Sequence, residues 1–206
     1  MKPVLLFASI AFGFMAIAKC FPQQPAQPSQ RDAEAVVIKL YKQIVLRKPI
    51  GIPQKADRQA IWPLLSRDLI KRLDLARECE KDYFRQYSDP NLKPEFDWLE
   101  MGLFSGGNEQ ALPSRVAVRR TVKQKDGSYQ VGMKLTYKET FETYDRPPDP
   151  KDTFNWNVIA FVIWDGNRFA VNDVLYARDY PDEAELRLSQ LLSHGCKDGK
   201  WVGDTR

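Results

Sequence analysis

The hydrophobic period of this 206-residue sequence changes once along the chain, and that change constrains the fold more than any other feature. Up to about residue 90, apolar side chains recur every three to four positions, which is the spacing of helices that bury one stripe. From Arg115 onward they recur mainly at every second position, which is the spacing of strands. Helices followed by a meander of strands predict an α+β domain.

The first half of the chain contains the helical segments. We predict one helix over Asp32–Arg47 and a short helical turn over Asp57–Trp62 that Pro63 interrupts. The longest helix begins after the N-cap residue Ser66, ends at about Tyr87 and buries an apolar stripe. The predicted stripe consists of Leu69, Ile70, Leu73, Ala76, Cys79, Tyr83 and Phe84. In the loop-rich passage that follows, residues Glu95–Leu99 are predicted as a short strand.

The second half predicts a bent antiparallel sheet of about four strands that the N-terminal helices cover. The strands are expected at 115–122, 129–141, 154–164 and 168–176, and a final helix is expected over Asp182–His194. The third strand is apolar on both faces, so it should be central. In the first strand, strict alternation places Val116, Val118, Arg120 and Val122 on one face.

The N-terminus has the pattern of a secretory signal. Lys2 precedes an apolar run from Pro3 to Ala18, which is too short to span a bilayer comfortably. The run ends on Ala16-Ile17-Ala18, a small-x-small pattern that signal peptidase accepts. We therefore predict cleavage after Ala18, no transmembrane anchor in the mature form, and a periplasmic or secreted location.

These features divide the chain into a signal peptide at 1–18, a disordered Pro/Gln-rich tether at 19–31 and a single α+β domain at 32–206. Two alternatives stay open for the N-terminus. One is an uncleaved anchor, and the other is a lipoprotein attached through Cys20. Lys19 argues against lipidation, because lipoprotein processing requires a small residue before the cysteine.

Export changes how the three cysteines are interpreted, because an oxidising compartment lets disulfides form and persist. Cys79 lies in the longest helix and Cys196 just beyond the last one, so we predict a disulfide between them. Closing so long a loop stabilises the fold by about 4 kcal/mol in the chain-entropy model. The alternative is two separate thiols, and Cys20 is left as an odd cysteine that is either free or cross-linked between chains.

Charge and histidine content argue against several classes of protein. The formal net charge is +4, and basic residues are mostly scattered among acidic ones. Because nucleic-acid binding requires a clustered basic stripe and usually a recognisable module, we predict no nucleic-acid partner. The single histidine, His194, and three dispersed cysteines offer no CxxC or HExxH spacing, so no metal or other cofactor is predicted. His194-Gly195 is instead typical of a helix C-terminus.

Two carboxylates stand in apolar strand registers, Glu139 and Asp173. Facing an apolar cavity, either would have its pKa raised by desolvation and could act as a general base or a neutral donor. They are weak catalytic candidates. The alternative is that Glu139 lies in water at a strand end, whereas Asp173 caps a turn or binds backbone amides at a bulge.

Aromatic residues supply the candidates for a ligand pocket between helix and sheet. Apolar walls with a few polar tips suit a small ligand, although alternating aromatics also fill a sheet core. The candidates are Tyr83, Trp98, Tyr137, Trp156 and Trp164.

The order of elements, together with the strand Arg168–Tyr176, resembles the nuclear-transport-factor-2-like superfamily of cystatin-like α+β cones. The Val36–Tyr41 segment, the Leu64–Leu69 helix start and the tail Leu188–Cys196 resemble exported bacterial proteins of uncharacterised function with that fold. The resemblance covers roughly residues 32–200. It implies a cone-shaped fold and makes a homodimer through the open sheet face plausible, but it carries over no catalytic residue.

Three functions follow from these observations. The first is an exported, non-enzymatic binding or interaction domain that uses a concave sheet surface for a small ligand or a protein partner. The second is a cofactor-independent isomerase, dehydratase or hydrolase built on a pocket carboxylate. The third is an inhibitor or immunity protein for a secreted partner, which predicts a filled core and an exposed apolar patch.

Overall fold

The computed structural model describes residues 29–87, 96, 98–109, 111–138, 153–177 and 185–203. These residues form an α+β fold with N-terminal helices, an antiparallel sheet and a C-terminal helix, as predicted. The helices are α1 (Gln30–Arg47), α2 (Lys55–Ile61), α3 (Arg67–Gln86) and α4 (Leu188–Ser193), with a 3₁₀ turn at Trp62–Leu64. The strands are β1 (Arg115–Lys123), β2 (Tyr129–Lys138), β3 (Thr153–Trp164), β4 (Phe169–Ala177), β5 (Leu186–Arg187), β6 (Cys196–Lys197) and β7 (Lys200–Trp201).

Helices α1 and α3 begin at capped N-termini. Ser29 and Asp32 form a reciprocal capping box, so α1 starts at Gln30, two residues earlier than predicted. Ser66 caps α3 as predicted, because its Oγ accepts the N–H of Leu69 at 3.0 Å. The predicted stripe of α3 is buried except at two positions: Ile70 is half-buried and Phe84 is half-exposed.

The main sheet is antiparallel with the order β1-β2-β3-β4-β5, so it has one strand more than expected. Strand β3 is central, as its two apolar faces predicted. Helix α1 packs across β1, β2, β3 and β4, and its buried side chains share one core with the inward-facing residues of these strands. The side chains of β2 alternate between buried and half-buried along almost the whole strand.

Two bulges interrupt the register of the sheet. In β1, Val118 pairs with Met133 but Arg120 pairs with Gly132, so Arg119 is the extra residue. The prediction that Arg120 and Val118 share a face is therefore wrong, since the bulge turns Arg120 to the opposite side. In β4, the extra residue is Asn172, because Phe161 and Val162 pair with Asp173 and Val171.

Three predicted elements differ from the structure. Within the described residues the last helix begins only at Leu188 as α4, and residues 186 and 187 form β5, because pairing with Tyr176 and Leu175 extends the sheet there. Trp98 and Leu99 lie in a turn in which the Leu99 N–H donates to the Phe96 carbonyl, so no strand forms at these residues. The short helix begins earlier than predicted, at Lys55.

The predicted disulfide between Cys79 and Cys196 is present, with a Cα–Cα distance of 5.9 Å. It joins α3 to the small β6–β7 hairpin that ends the described chain. Among the described residues, no helix is both long and apolar enough to cross a membrane. The predicted signal peptide, most of the tether and Cys20 lie outside the described residues.

Candidate functional site

The space under α1, where a cone-shaped fold would hold a ligand, is filled by the loop of residues 102–107, which we call the plug loop. Leu103, Phe104 and Ser105 are almost completely buried. Three successive carbonyls of the plug loop accept hydrogen bonds from aromatic side chains: Leu103 from Tyr176 Oη, Phe104 from Tyr41 Oη at 2.8 Å, and Ser105 from Trp156 Nε1 at 2.6 Å. The hydroxyl and indole N–H groups that could orient a ligand there therefore already donate to backbone carbonyls.

Two glycines let the plug loop pack this tightly. A Cβ on Gly102 would lie 2.5 Å from Ser105 Oγ, and one on Gly107 would lie 2.4 Å from the Ala111 carbonyl oxygen. Burial raises the pKa of the Tyr41 and Tyr176 hydroxyls, so both stay protonated donors at neutral pH.

The structure separates the aromatic residues that the sequence offered as pocket candidates. Tyr83 and Trp98 both pack against Phe96, Tyr83 edge-on with a centroid distance of 5.3 Å and Trp98 stacked at 4.5 Å. Tyr137 lies near Phe154 at 6.3 Å.

The other two candidates stand at opposite ends of β3. Trp156 binds the plug loop, whereas Trp164 is half-exposed at the β3–β4 hairpin. Sequence reasoning missed Tyr41 and Tyr176. Their signal was a tyrosine inside an apolar stripe, because a buried phenol usually finds an acceptor.

Asp173 is buried, with 7 % exposure, and its carboxylate accepts three hydrogen bonds. Oδ1 accepts the N–H groups of Val174 at 2.9 Å and Ser189 at 3.0 Å, and Oδ2 accepts Ser189 Oγ at 2.7 Å. Since Ser189 lies in the first turn of α4, Asp173 caps that helix from the neighbouring strand. This arrangement agrees with the structural alternative stated for Asp173. Glu139 lies outside the described residues.

The face of β1, β2 and β3 that points away from α1 is the candidate site, and we call it the outer face. Pairing across the strands assigns its residues, since paired residues share a face. The outer face carries four cations, Arg115, Arg120, Lys134 and Lys138, and no carboxylate among its described residues. No helix of the described chain packs on it, because the described contacts of α3 and α4 with the main sheet are to β4 and β5.

A half-buried apolar strip runs along β3 on the outer face, formed by Ile159, Phe161 and Ile163. The guanidinium of Arg187 lies over the Phe161 ring, 4.3 Å from its centroid. Beside the strip, Gly132 of β2 pairs with Ile159 of β3 on one side and with Arg120 of β1 on the other. Because glycine has no side chain, the outer face has a gap between the apolar Ile159 and the cationic Arg120.

The outer face has the chemistry of a binding surface. Its polar residues include a cross-strand pair in which Thr136 Oγ1 donates to Asn155 Oδ1 at 2.8 Å. In the parts of the chain that the structure describes, no group of three or more His, Cys, Asp or Glu side chains could hold a metal ion. His194 ends α4, and Gly195 after it takes a positive φ of 67°, as its position at a helix C-terminus predicted.

The chain matches no protein-family model, no curated protein and no solved structure with significance.

Proposed function

We propose that this chain is an exported, non-enzymatic interaction domain that binds an acidic protein partner through the outer face. The observation that carries the proposal is the charge of that face, which has four cations, Arg115, Arg120, Lys134 and Lys138, but no described carboxylate. A surface of one sign attracts a partner of the opposite sign and repels partners of its own. The Cys79–Cys196 disulfide supports export, because such bonds persist in oxidising compartments.

The apolar strip favours a protein as the partner. Protein interfaces combine an apolar centre with a polar or charged rim, and most of the binding energy comes from a few central side chains. Ile159, Phe161 and Ile163 would be the centre, and Arg120 and Lys134 would belong to the rim. Inhibition of a secreted acidic enzyme is one form that such binding can take, and the filled interior fits that alternative.

Two rival functions receive less support. An enzyme built on Asp173 would need a carboxylate free to move a proton, whereas the oxygens of Asp173 hold three hydrogen bonds inside the fold. A homodimer through the outer face would bring the same cations of two copies together. The resemblance to the nuclear-transport-factor-2-like superfamily stays a prediction, in keeping with the α+β arrangement.

The outer face also offers a matched pair of variants for a test. A Cβ on Gly132 would meet only the backbone of Arg120, at 3.5 Å or more, and the position has no positive φ. A side chain is therefore tolerated there. Gly132→Glu places a negative charge at the centre of the face, and Gly132→Gln places a neutral group of nearly the same size.

The experiment begins with a photo-crosslinking amino acid at Asn157, an exposed outer-face position, in the exported chain of the source organism. The same amino acid at Lys71, exposed on α3, is the control. We expect an acidic protein to cross-link at Asn157 and not at Lys71. The purified partner should then bind Gly132→Glu about tenfold more weakly than Gly132→Gln, with a difference that shrinks at high salt.

Three results would overturn the proposal. They are the absence of any cross-link specific to Asn157, a partner whose contacting surface is basic, and equal affinities of the two Gly132 variants. Circular dichroism of both variants establishes that they are folded before binding is compared.

A further inference from the structure

A cleft lies at the β3–β4 hairpin, at the other end of β3 from the plug loop. It is open to solvent and is bordered by the first half of α1, the 3₁₀ turn and the hairpin, and its volume is about 380 Å³. This volume falls within the roughly 300–1,000 Å³ range of small-molecule sites. It is separate from the outer face, since α1 covers the opposite side of the sheet.

Two cations line the cleft, Arg168 from the hairpin and Lys39 from α1. The guanidinium of Arg168 is held in place because its Nη2 donates to the Leu65 carbonyl at 2.8 Å. Its Nη1 is buried and finds no acceptor among the described residues. An unmatched buried N–H is costly, and because Nη1 has almost no exposed surface, an oxygen from a bound molecule would satisfy it after a local shift of the cleft wall. Lys39 is exposed and makes no ion pair with a described residue.

One carboxylate, that of Asp32, also lines the cleft. Its Oδ2 accepts the N–H and the hydroxyl of Ser29, at 3.0 and 2.7 Å, so it already serves the N-terminus of α1. Lys39 comes seven residues later on α1, about 10 Å further along the helix axis. Lys39 is therefore a cation of the cleft that lies away from Asp32, and Arg168 is the second cation of the lining.

The remaining wall is aromatic and apolar. Trp164 is 48 % exposed, which is unusual for so large an apolar side chain, and its ring meets the Phe169 ring edge-on at 5.1 Å. Pro63 and Leu64 of the 3₁₀ turn complete this wall. A flat ring stacked on Trp164 would gain area burial together with the preferred aromatic geometry.

We propose that this cleft binds a small aromatic carboxylate, with the ring of the ligand against Trp164 and its carboxylate between Lys39 and Arg168. Arginine suits this role because its fixed fork of donors matches a carboxylate, and lysine adds a mobile second charge. The proposal does not depend on the outer face, because the two sites share no residue.

The test is isothermal titration calorimetry of the mature chain with naphthoate as the probe. Naphthalene methanol, which keeps the ring and lacks the charge, is the matched control ligand. We expect saturable one-to-one binding of naphthoate and an affinity for the alcohol that is lower by about tenfold or more.

Variants on α1 and β3 locate the binding. Lys39→Gln should weaken naphthoate binding about fivefold or more and flatten its salt dependence, whereas Lys42→Gln, on the same helix but outside the cleft, should leave it unchanged. Trp164→Leu should weaken binding of both ligands. Thermal melting verifies that each variant is folded.

The proposal is overturned if naphthoate does not bind at about 1 mM, if the alcohol binds equally well, or if Lys39→Gln and Lys42→Gln behave alike. Gly132→Glu should not alter naphthoate binding, so failure of this site and failure of the outer face are distinguishable.

Discussion

Replacing Asp173 distinguishes a structural carboxylate from a catalytic one. In Asp173→Ala, the backbone N–H of Ser189, the backbone N–H of Val174 and the Ser189 hydroxyl all lose their acceptor in a buried setting. In Asp173→Asn, the amide oxygen can still accept the two N–H groups, and the amide nitrogen can donate to Ser189 Oγ. The two substitutions therefore remove different parts of the same cap.

The expected magnitudes follow from these contacts. Each buried donor left without an acceptor costs about 1–3 kcal/mol, and a helix of six residues has little stability of its own. Asp173→Ala should therefore lower the free energy of unfolding by about 3–4 kcal/mol. Asp173→Asn should lower it by about 1–2 kcal/mol, because the charge is lost but most hydrogen bonds can be kept.

Urea denaturation followed by circular dichroism measures these differences, and a double-mutant cycle assigns them. Ser189→Ala removes only the hydroxyl bond, so it should cost about 1 kcal/mol. Combined with Asp173→Ala, it should cost less than the sum of the two single changes, by about 0.5–1.5 kcal/mol. The reasoning is refuted if Asp173→Ala is as stable as the wild type, or if the two positions are additive.

Two further predictions concern stability. Replacing both Cys79 and Cys196 by Ala should lower the free energy of unfolding by about 4–5 kcal/mol, because the disulfide joins residues 117 positions apart in the chain. A reductant should then destabilise the wild type and leave the double variant unchanged. Equal destabilisation of both proteins by the reductant would contradict the loop argument. The Arg67 backbone N–H that donates to the Asp165 carboxylate lowers the pKa of that carboxyl, as does the Arg67 side chain. The stabilisation that the ionised Asp165 carboxylate gives the folded state is present above the ordinary pKa of about 3.9. It is lost as the pH falls through the lower folded-state pKa of this carboxyl. The stability advantage of the wild type over Asp165→Asn should therefore shrink as a urea series is moved from neutral pH to below about pH 4, and a pH-independent difference would contradict it.

The start of α3 was predictable from local chemistry, because Ser66 and the apolar period after it predicted this helix. The start of α1 was predicted two residues too late, although the capping groups Ser29 and Asp32 are close to it in the sequence. Larger failures occurred where distant partners compete. Residues 186 and 187 have no local reason to avoid a helix, and only their pairing with β4 makes them a strand.

The candidate sites were less predictable, because the register of strand pairing decides which residues lie on each face of the sheet. Alternation in β1 placed Arg120 toward the core, and one bulge at Arg119 reversed that assignment. The Arg119-Arg120 cluster was visible in the sequence, but its alignment with Lys134 depends on how two strands pair. For a similar reason, nothing local in the sequence indicated that carbonyls of the plug loop would accept hydrogen bonds from Tyr41, Trp156 and Tyr176.

The sequence by itself determined the α+β class, the central place of β3, and the bond between Cys79 and Cys196, because these depend on hydrophobic period, apolar content and the cysteines available. Tertiary structure decided which surface is free. It filled the space beneath α1 with the plug loop, bonded Asp173 to the first turn of α4, and placed Arg120 and Lys134 on the same face of neighbouring strands. Such outcomes depend on contacts between residues far apart in the chain, which a local pattern does not encode.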